Sequence, residues 1–280
     1  MKIENAIKEG FLKLKQNNIS SALLDSQLLM SKTINKDQKF IILNSGKDLK
    51  NCDYEHFKKL IAHRARGKPV AYLTKIKSFW NHDFSVNDKV LIPRPDSELI
   101  VEQVLEIYKN KRKMSLLEVG VGSGCLILSI LKEKKLFSGI GIDISNHAIK
   151  ICRINAKKLK IENRIKLFKS DIDNFNLGKY DLIISNPPYI KKLDFKSLKR
   201  DVVNFEPWLA LDGGLEGLSC FRKIIKKSSE LIKKRGKLIL EIACDQKRDV
   251  VNILEDNGFF INKVLKDLAN NDRCIISTKI

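Results

Sequence analysis

Apolar positions recur with a helical period through the first part of the chain. One face of a first helix would carry Ile3, Ile7, Phe11 and Leu14, and that of a second would carry Leu24, Leu28 and Leu29. Ser20 or Ser21 is a candidate cap for the second helix. A third is expected to start at Asp53 and to end at Gly67, because a glycine followed closely by Pro69 is a usual stop signal. Residues 1–75 are therefore predicted to form a small helical domain.

The pattern changes to short alternating runs between Tyr72 and Ile92. Ile76–Phe79 and Phe84–Val86 have the length and the alternation of two brief β-strands. Between them lies Asn81-His82-Asp83, which contains residue types that favour turns. Residues 76–92 are therefore predicted to form a β-hairpin linker between the helical domain and the rest of the chain.

Beyond residue 93 the chain alternates between apolar, strand-sized runs and amphipathic helical segments. The predicted strands are Ser115–Val119, Gly139–Asp143, Ile165–Lys169, Asp181–Ser185, Lys237–Ala243, Phe260–Lys266 and Arg273–Ser277. The predicted helices are Asp96–Tyr108, Leu126–Glu133, Asn146–Leu159, Phe221–Ile232 and Gln246–Asn257. Such alternation builds a parallel sheet with helices on both faces, and the last two strands are close enough in sequence for an antiparallel hairpin. Residues 93–280 are predicted to be one α/β domain.

Composition narrows the class of protein. Of 280 residues 43% are hydrophobic, which suffices for a core, and no apolar run reaches the roughly 18 residues of a membrane span. The first residues mix Lys2, Glu4, Lys8 and Glu9, a pattern of neither export nor import signals, so a cytoplasmic location is expected. The six cysteines contain no C-x-x-C pair and the four histidines form no ligand-spaced cluster with them, so no metal is expected.

The chain has 53 basic and 33 acidic residues and a formal net charge of +20. A field of this sign attracts nucleic acid or ribonucleoprotein. The lysines are, however, spread along the whole chain among many isoleucines and asparagines, as a general compositional bias would also produce. The charge is compatible with direct nucleic-acid binding without requiring it, and it does not decide between the two explanations.

A glycine-rich loop follows the first predicted strand of the α/β domain. Gly120-Val121-Gly122-Ser123-Gly124 comes directly after Leu116–Val119 and before a helix, a placement typical of loops that hold a nucleotide-type cofactor. Its spacing is G-x-G-x-G rather than the G-x-G-x-x-G of dinucleotide sites, which disfavours an NAD enzyme. Glu118 is expected near the cationic amino group of a bound methionine moiety, with contact made through water or backbone.

Acidic residues follow the next two predicted strands. Asp143 ends the second strand, where a carboxylate can accept both hydroxyls of a ribose. Asp171 and Ile172 follow the third strand, where Asp171 could bind the exocyclic amine of an adenine and Ile172 could pack on its ring. A solvated aspartate and a core isoleucine are an equally good interpretation of that pair.

Asn186-Pro187-Pro188-Tyr189 follows the apolar strand Asp181–Ser185, at the sheet edge where open α/β folds bind ligands. An amide nitrogen is a poor nucleophile, so an enzyme that methylates it must orient it and stabilise the charge that grows on it. The Asn186 side-chain oxygen and the Pro187 carbonyl could each accept one N–H of a target NH₂ group and aim it at a sulfonium methyl. The prolines fix φ in advance, and Tyr189 could stack on a planar amide or base.

These motifs together resemble the HemK/PrmC family of protein-glutamine methyltransferases. The resemblance covers nearly the whole chain and includes all six prolines. It is carried by Arg66–Thr74, Phe79-Trp80, Leu91–Glu98, Glu118–Gly124, Asn186–Tyr189, Phe205–Pro207 and Leu211–Leu218. The Asn-Pro-Pro-aromatic loop alone is shared with adenine and cytosine amino-methyltransferases that act on DNA or RNA, which remain the alternative reading. No separate target-recognition domain for a flipped base is visible.

The resemblance implies a seven-stranded, Rossmann-like class I methyltransferase sheet behind a helical domain that helps to dock the substrate. It implies S-adenosyl-L-methionine as cofactor, the Gly-Gly-Gln glutamine of bacterial peptide chain release factors as substrate, and translation termination as the process; a monomer is expected. Gly120–Gly124, Asp143, Ile172 and Asn186 would hold the cofactor, and Asn186, Pro187, Pro188 and Tyr189 the glutamine.

The sequence departs from the family pattern at two places. Some members have Trp at the position of Ile172, so stacking on the adenine would differ here. The usual glycine of a D-x-x-G-x-x-R block is replaced within Asp267–Arg273, in a loop to which the sequence assigns no role.

Overall fold

Helices and strands are described over the whole chain, residues 1–280, of the computed structural model. The α-helices are α1 (Ile3–Gln16), α2 (Ala22–Ile34), α3 (Gln38–Leu43), α4 (Asn51–Ala65), α5 (Val70–Thr74), α6 (Glu98–Ile107), α7 (Cys125–Glu133), α8 (Asn146–Lys158), α9 (Arg200–Phe205), α10 (Ser219–Leu231) and α11 (Lys247–Asp256). The strands are β1 (Ile76–Phe79), β2 (His82–Ser85), β3 (Met114–Val119), β4 (Phe137–Asp143), β5 (Ile165–Lys169), β6 (Tyr180–Ser185), β7 (Ile232–Glu241), β8 (Phe259–Lys266) and β9 (Asp272–Lys279).

The contacts divide the chain into two units. One comprises Met1–Ile76 together with Lys199–Phe205, and the other comprises Lys77–Leu198 and Glu206–Ile280. The first unit contains the helices α1 to α5 and α9, and the second contains the large sheet. No helix is both long and apolar enough to cross a membrane.

The first unit packs α1, α2 and α4 around one apolar core. Its buried side chains include Ile3, Leu14, Leu29, Met30, Phe57 and Ile61. Gly10 lies where these helices approach most closely, because a Cβ added there would stand 2.6 Å from the Ser26 Oγ and 2.8 Å from the Phe57 ring. The predicted face of α1 is confirmed in its buried Ile3, Ile7 and Leu14.

The predicted face of α2 is confirmed at Leu29, which is buried in the core, and is wrong at Leu24. Leu24 is 51% exposed, whereas Asp25 and Ser26 are buried. The reason is a polar contact inside the unit: the Asp25 carboxylate accepts a hydrogen bond from the Arg64 Nε at 2.6 Å. A buried charge needs a partner, so Asp25 faces the interior together with Leu29, while Leu24 is turned to solvent.

The predicted hairpin is present, but its reversal lies earlier in the chain than expected. Trp80 and Asn81 connect β1 to β2, and Trp80 has a φ of 48°. His82 and Asp83, which the sequence places in the turn, belong to β2. The Trp80 N–H donates to the Glu98 Oε1 at 2.7 Å, so a contact to the start of α6 helps to hold the turn.

The large sheet has seven strands in the order β5-β4-β3-β6-β7-β9-β8, which confirms the predicted Rossmann-like class. All neighbours are parallel except β9, which runs antiparallel to both β7 and β8. From β3 the chain first adds β4 and β5 on one side and then returns to add β6 on the other. Ligands bind at such a switch point in open α/β sheets, and here Val119 of β3 pairs with Ser185 of β6 at their carboxyl ends.

Apolar cores cover both faces of this sheet. The helices α6, α7 and α8 pack on one face and contribute Val101, Ile127 and Cys152. On the other face, α10 and α11 contribute Phe221 and Leu254. Strands buried on both faces read as continuous apolar runs, which is why the sequence shows them so clearly.

Candidate active site

A cavity of about 300 Å³ opens at the carboxyl ends of β3, β4 and β6. Of the residues predicted to act at the site, it is lined by Gly120, Gly122, Asp143, Ile172, Asn186, Pro187 and Pro188. Val121, Ser123, Gly124 and Tyr189 are not part of its wall. The fold thus brings the glycine loop, the acid after β4 and the loop after β6 to one place, and it sets four of the predicted residues behind that surface.

Gly120 and Gly122 form the wall of the cavity in a backbone conformation that favours glycine. Their φ angles are 75° and 53°. A Cβ added at Gly120 would meet nothing within 4 Å, so any side chain there would project into the open space of the cavity. This bare stretch of backbone is the feature expected where a cofactor approaches the main chain closely.

Gly124 and its neighbours shape the loop from behind. A Cβ at Gly124 would lie 2.6 Å from the Cys152 Sγ, so this glycine permits close packing of α7 on α8. Val121 and Ser123 are buried. The Ser123 carbonyl accepts a hydrogen bond from the Asn155 Nδ2 at 2.8 Å, which anchors the loop to α8.

Asp143 lines the cavity and also organises the backbone around it. Its Oδ2 accepts a hydrogen bond from the Gly122 N–H at 2.9 Å, and its Oδ1 accepts one from the Ser145 N–H at 2.8 Å. Burial raises the pKa of this carboxyl, and the two backbone donors oppose that rise. Each oxygen retains a second acceptor site, so the carboxylate can also receive the hydroxyls of a ribose.

Glu118 lies behind the cavity wall rather than on it. It is buried, it does not line the cavity, and its Oε2 accepts a hydrogen bond from the Ile127 N–H of α7 at 3.0 Å. Burial raises its pKa well above the usual value. The structure therefore supports a role in joining β3 to α7, and it provides no direct contact between this carboxyl and a ligand in the cavity.

Asp171 and Ile172 both reach the cavity wall. The Asp171 Oδ1 accepts a hydrogen bond from the Asp173 N–H at 3.1 Å and so caps a short 3₁₀ turn. Ile172 is buried and belongs at the same time to the apolar core of its sheet face. Asp171 and Ile172 can therefore stabilise the fold and also contact an adenine in the cavity, so the two interpretations of this pair are compatible.

The Asn186–Tyr189 loop presents two oxygen acceptors that the protein leaves unused. The Asn186 Nδ2 donates to the Ser97 Oγ at 3.1 Å, but the Asn186 Oδ1 and the Pro187 carbonyl accept no hydrogen bond from any protein group. The loop is anchored just before this point, because the Ser185 Oγ donates to the Val119 carbonyl at 2.7 Å. All its peptide bonds are trans.

Tyr189 is half-buried and lies behind the cavity wall. Its ring packs against the apolar core rather than lining the cavity, and burial raises the pKa of its hydroxyl. The hydroxyl makes a long contact of 3.5 Å to the Glu241 Oε1, and the Tyr189 carbonyl accepts a hydrogen bond from the Gln246 Nε2 at 3.1 Å. The residue therefore braces the loop from behind.

Two glycines of the Leu211–Leu218 block hold the same loop from the other side. A Cβ at Gly213 would stand 2.8 Å from the Tyr189 Cα, and one at Gly217 would stand 2.5 Å from the Tyr189 carbonyl oxygen. The Gln246 amide bridges these segments, because its Nε2 also donates to the Gly217 carbonyl at 3.0 Å. Close approach of backbone to backbone explains why these positions carry no side chain.

Three residues of this region were missed by the sequence reasoning. Glu206 pairs with Arg94 and accepts a hydrogen bond from the Ile92 N–H at 3.2 Å, which steadies the segment that forms the Lys89–Leu91 wall of the cavity. Glu241, a lone acid in the apolar run of β7, gave a signal that was not used. Ser97 gave none.

The altered loop Asp267–Arg273 is ordered by its own hydrogen bonds. Asn270 stands where that block has glycine and adopts a φ of 65°, a left-handed conformation that Asn tolerates better than most residues. Asp267 accepts hydrogen bonds from two backbone N–H groups of the loop and pairs with Arg273. Arg273 in turn donates to the Ile242 carbonyl at 3.1 Å, so the loop secures the end of β7.

The six cysteines are free thiols, and no group of His, Cys, Asp or Glu side chains could hold a metal ion.

Comparison with known families matches both parts of the chain. Residues 5–74 match the PrmC N-terminal domain, and residues 96–215 match the methyltransferase small domain. The protein of Clostridium acetobutylicum named release factor glutamine methyltransferase is 35% identical over 282 residues, covering 100% of this chain and 99% of that protein. The protein of the same name from Clostridium botulinum is 36% identical over 282 residues, covering 100% of both.

Other relatives share only part of their length or only the fold. A bifunctional methyltransferase of Rickettsia conorii is 32% identical, and this chain spans 58% of it. A methyltransferase structure from Pyrococcus furiosus has a TM-score of 0.53 at 18% identity, covering 78% of this chain and 96% of that one. The ribosomal protein L11 methylase of Lactobacillus delbrueckii has a TM-score of 0.51 at 17% identity, covering 73% and 90%. These two structures establish a shared methyltransferase fold and nothing finer.

Proposed function

This chain belongs to the release factor glutamine methyltransferase family, and from that premise we propose that it methylates the glutamine of the Gly-Gly-Gln motif in bacterial peptide chain release factors. The methyl group would come from S-adenosyl-L-methionine and go to the side-chain amide nitrogen. The observation that carries the proposal is the pair of unused acceptors, the Asn186 Oδ1 and the Pro187 carbonyl, beside a glycine-walled cavity.

The two acceptors suit a primary amide. A glutamine NH₂ group has two N–H donors, and the Asn186 Oδ1 and the Pro187 carbonyl can each take one of them. This would fix the plane of the amide and stabilise positive charge that grows on its nitrogen. The proline rings and the anchored Ser185 hold the acceptors in place before substrate arrives. No basic side chain is needed at the nitrogen, because the proton can leave to water after methylation.

The residues of the cavity fit S-adenosylmethionine. Gly120 and Gly122 leave room for close approach of the ligand to the backbone, and Asp143 retains acceptor sites for the ribose hydroxyls. Ile172 offers an apolar surface at the cavity wall for the adenine. When bound, the cofactor supplies an electrophilic methyl group on a positively charged sulfur.

The proposal extends to the rest of the molecule. The helical residues 1–75, which match the PrmC N-terminal domain over most of their length, would help to dock the release factor. The β-hairpin of residues 76–92 would link them to the methyltransferase domain of residues 93–280. The enzyme would act in the cytoplasm, where release factors work, and as a monomer.

A side-by-side labelling experiment tests the substrate class. The full-length protein is incubated with methyl-labelled S-adenosylmethionine and, separately, with a release factor, with the same factor carrying Ala in place of the motif glutamine, with unmodified DNA and with RNA. Label in the intact release factor alone is the expected result. Label in DNA or RNA instead would replace the proposal with the amino-methyltransferase alternative, and equal label in the glutamine variant would refute the assigned acceptor.

A further inference from the structure

A chain of buried hydrogen bonds stands behind Asn186. The Ser97 Oγ–H donates to the Glu241 Oε2 at 2.6 Å, and the Asn186 Nδ2 donates to the Ser97 Oγ at 3.1 Å. Ser97 and Glu241 are each 2% exposed. Ser97 ends the 3₁₀ turn that precedes α6, and Glu241 ends β7, so segments distant in the sequence meet at this asparagine.

The chemistry of the three groups dictates the direction of the chain. An ionised carboxylate can only accept hydrogen bonds, so the single proton of the Ser97 hydroxyl points to Glu241. The Ser97 oxygen is then left as an acceptor, and only the NH₂ side of the Asn186 amide can satisfy it. The Asn186 Oδ1 must therefore take the other side of the amide, away from Ser97. If the Asn186 amide were rotated by 180°, its Oδ1 would face the Ser97 Oγ, and two acceptors would then be in contact without a proton between them.

We propose that Ser97 and Glu241 are positioning residues that fix the Asn186 side-chain amide in the orientation that offers Oδ1 to the substrate NH₂ group. This inference rests on the proposed function and adds the pair of hydrogen bonds that prevents Asn186 from presenting its NH₂ group to the substrate. A donor at that position would repel the N–H groups of the substrate and leave the nitrogen unaligned.

The electrostatic surroundings of Glu241 make this positioning dependent on pH. Burial raises the pKa of Glu241 to about 7, while the hydrogen bonds from Ser97 and Tyr189 and the charge of Arg273 lower it and the charge of Asp96 raises it. The half-buried Cys125 and the buried Cys274 are the other titratable groups that feel this charge. Burial also raises the pKa of both thiols, so they stay neutral near pH 7.

Protonation of Glu241 would release the constraint. The protonated carboxyl can donate to the Ser97 oxygen, and the Ser97 proton is then free to turn toward the Asn186 amide. Both amide orientations become acceptable, and the population that offers Oδ1 to substrate falls. Turnover should therefore decline as the pH falls through about 7 and should recover as it rises.

The test compares Ser97→Ala with Ser97→Thr and with a matched control, Ser277→Ala. Ser277 is also fully buried and donates to the Leu238 carbonyl at 3.1 Å, but it has no link to Asn186. At pH 8 we expect S97A to lower kcat for release factor about tenfold, the scale of one lost hydrogen bond. Cofactor Kd measured by calorimetry should change less than about twofold, and S97T, which keeps the hydroxyl, should recover kcat.

The ratio of wild-type to S97A kcat separates positioning from a merely structural effect. At pH 6 this ratio should shrink toward one, because the wild-type enzyme has then lost the same constraint. A kcat of S97A within about twofold of wild type at pH 8, an equal loss in S277A, or a ratio that does not change with pH would each overturn the inference.

A second readout does not depend on substrate. In amide NMR spectra of the full-length protein, the Asn186 NH₂ protons should exchange slowly with water in the wild type and in S277A, and rapidly in S97A. Equal exchange in S97A and wild type overturns the positioning role even if the labelling experiment succeeds. If S97A loses this protection as expected while no release factor is methylated, the positioning role of Ser97 is supported and the proposed substrate is wrong.

Discussion

The acceptor role assigned to Asn186 predicts a specific loss of turnover at the residue scale. Asn186→Ala removes one preorganised polar contact at the reacting nitrogen, so kcat for release factor should fall about 10²–10³-fold. Asn257→Ala is a suitable control, because the side chain of that asparagine donates only to the Ile253 carbonyl at the end of α11. Steady-state methyl transfer measures both variants. Near-wild-type turnover of N186A would rule the acceptor role out.

Asp143 should affect cofactor binding rather than the chemical step. Asp143→Ala removes the carboxylate proposed to bind the ribose and also the acceptor of the Gly122 and Ser145 N–H groups. We expect cofactor Kd to rise about 10- to 100-fold, the scale of one lost hydrogen bond to a charged group. Calorimetric titration with S-adenosylmethionine measures it, with Asp173→Ala as an exposed acidic control outside the cavity wall. Unchanged affinity in D143A would contradict the ribose assignment.

At the scale of elements, the Asp25–Arg64 pair joins α2 to α4 inside the first unit. Both side chains are almost fully buried, and Arg64 also donates to the Gly67 and Lys68 carbonyls of the turn after α4. Asp25→Ala would leave the Arg64 charge buried without its acidic partner. We expect about 3–5 kcal/mol of destabilisation, seen as a lower unfolding midpoint in denaturant.

The exposed pair of Glu55 and Lys58 on α4 provides the control for that variant. The Lys58 Nζ and the Glu55 Oε1 are 2.6 Å apart, as close as the charged atoms of the Asp25–Arg64 pair. The side chains of Glu55 and Lys58 are, however, 60% and 48% exposed. Exposed pairs contribute at most about 1 kcal/mol, so Glu55→Ala should leave the midpoint nearly unchanged. Equal effects of D25A and E55A would show that burial does not decide the stability of this unit.

Elements also differ in how far periodicity could predict them. The central strands β3 and β6 were recognised because they are almost wholly buried and read as continuous apolar runs. The rotation of α2 was not recognised, because Asp25 turns inward to meet Arg64. In the sequence such a charged residue looks like one that faces solvent. The short helices α3 and α5 were missed because one or two turns carry too little periodic pattern.

At the scale of the whole molecule, the proposed docking role of the first unit separates protein substrates from peptides. Ile42 and Leu43 are 67% and 79% exposed at the end of α3, and exposed apolar side chains of this kind contribute to protein interfaces. The double substitution Ile42→Ser and Leu43→Ser should raise KM for intact release factor about 5- to 30-fold, the scale of about 1–2 kcal/mol. It should leave KM for a short Gly-Gly-Gln peptide unchanged.

Kinetics with the two substrates in parallel make that comparison internally controlled. A similar rise in KM for the short peptide would instead indicate damage to the active site. No change for the intact factor would exclude this surface from docking. The net charge of +20 adds a long-range attraction to any acidic partner that salt would screen, so both measurements belong at one ionic strength.

Local patterns in the chain determined much of this protein. Alternation of strands and helices, the glycines after β3 and the Asn-Pro-Pro-Tyr loop after β6 were all legible, because backbone conformation and burial leave periodic and residue-specific marks nearby in sequence. Topology then brings the carboxyl ends of β3 and β6 together.

Only the tertiary structure decided which polar groups meet. Ser97 and Glu241 converge on Asn186 across long stretches of chain, Tyr189 turns into the core instead of the cavity, and Glu118 is buried against α7. Nothing local marks such contacts, because the partner of a side-chain hydrogen bond depends on how separate elements pack. The residue types for the proposed chemistry were therefore readable from the sequence, whereas the orientation that makes them usable depends on the fold.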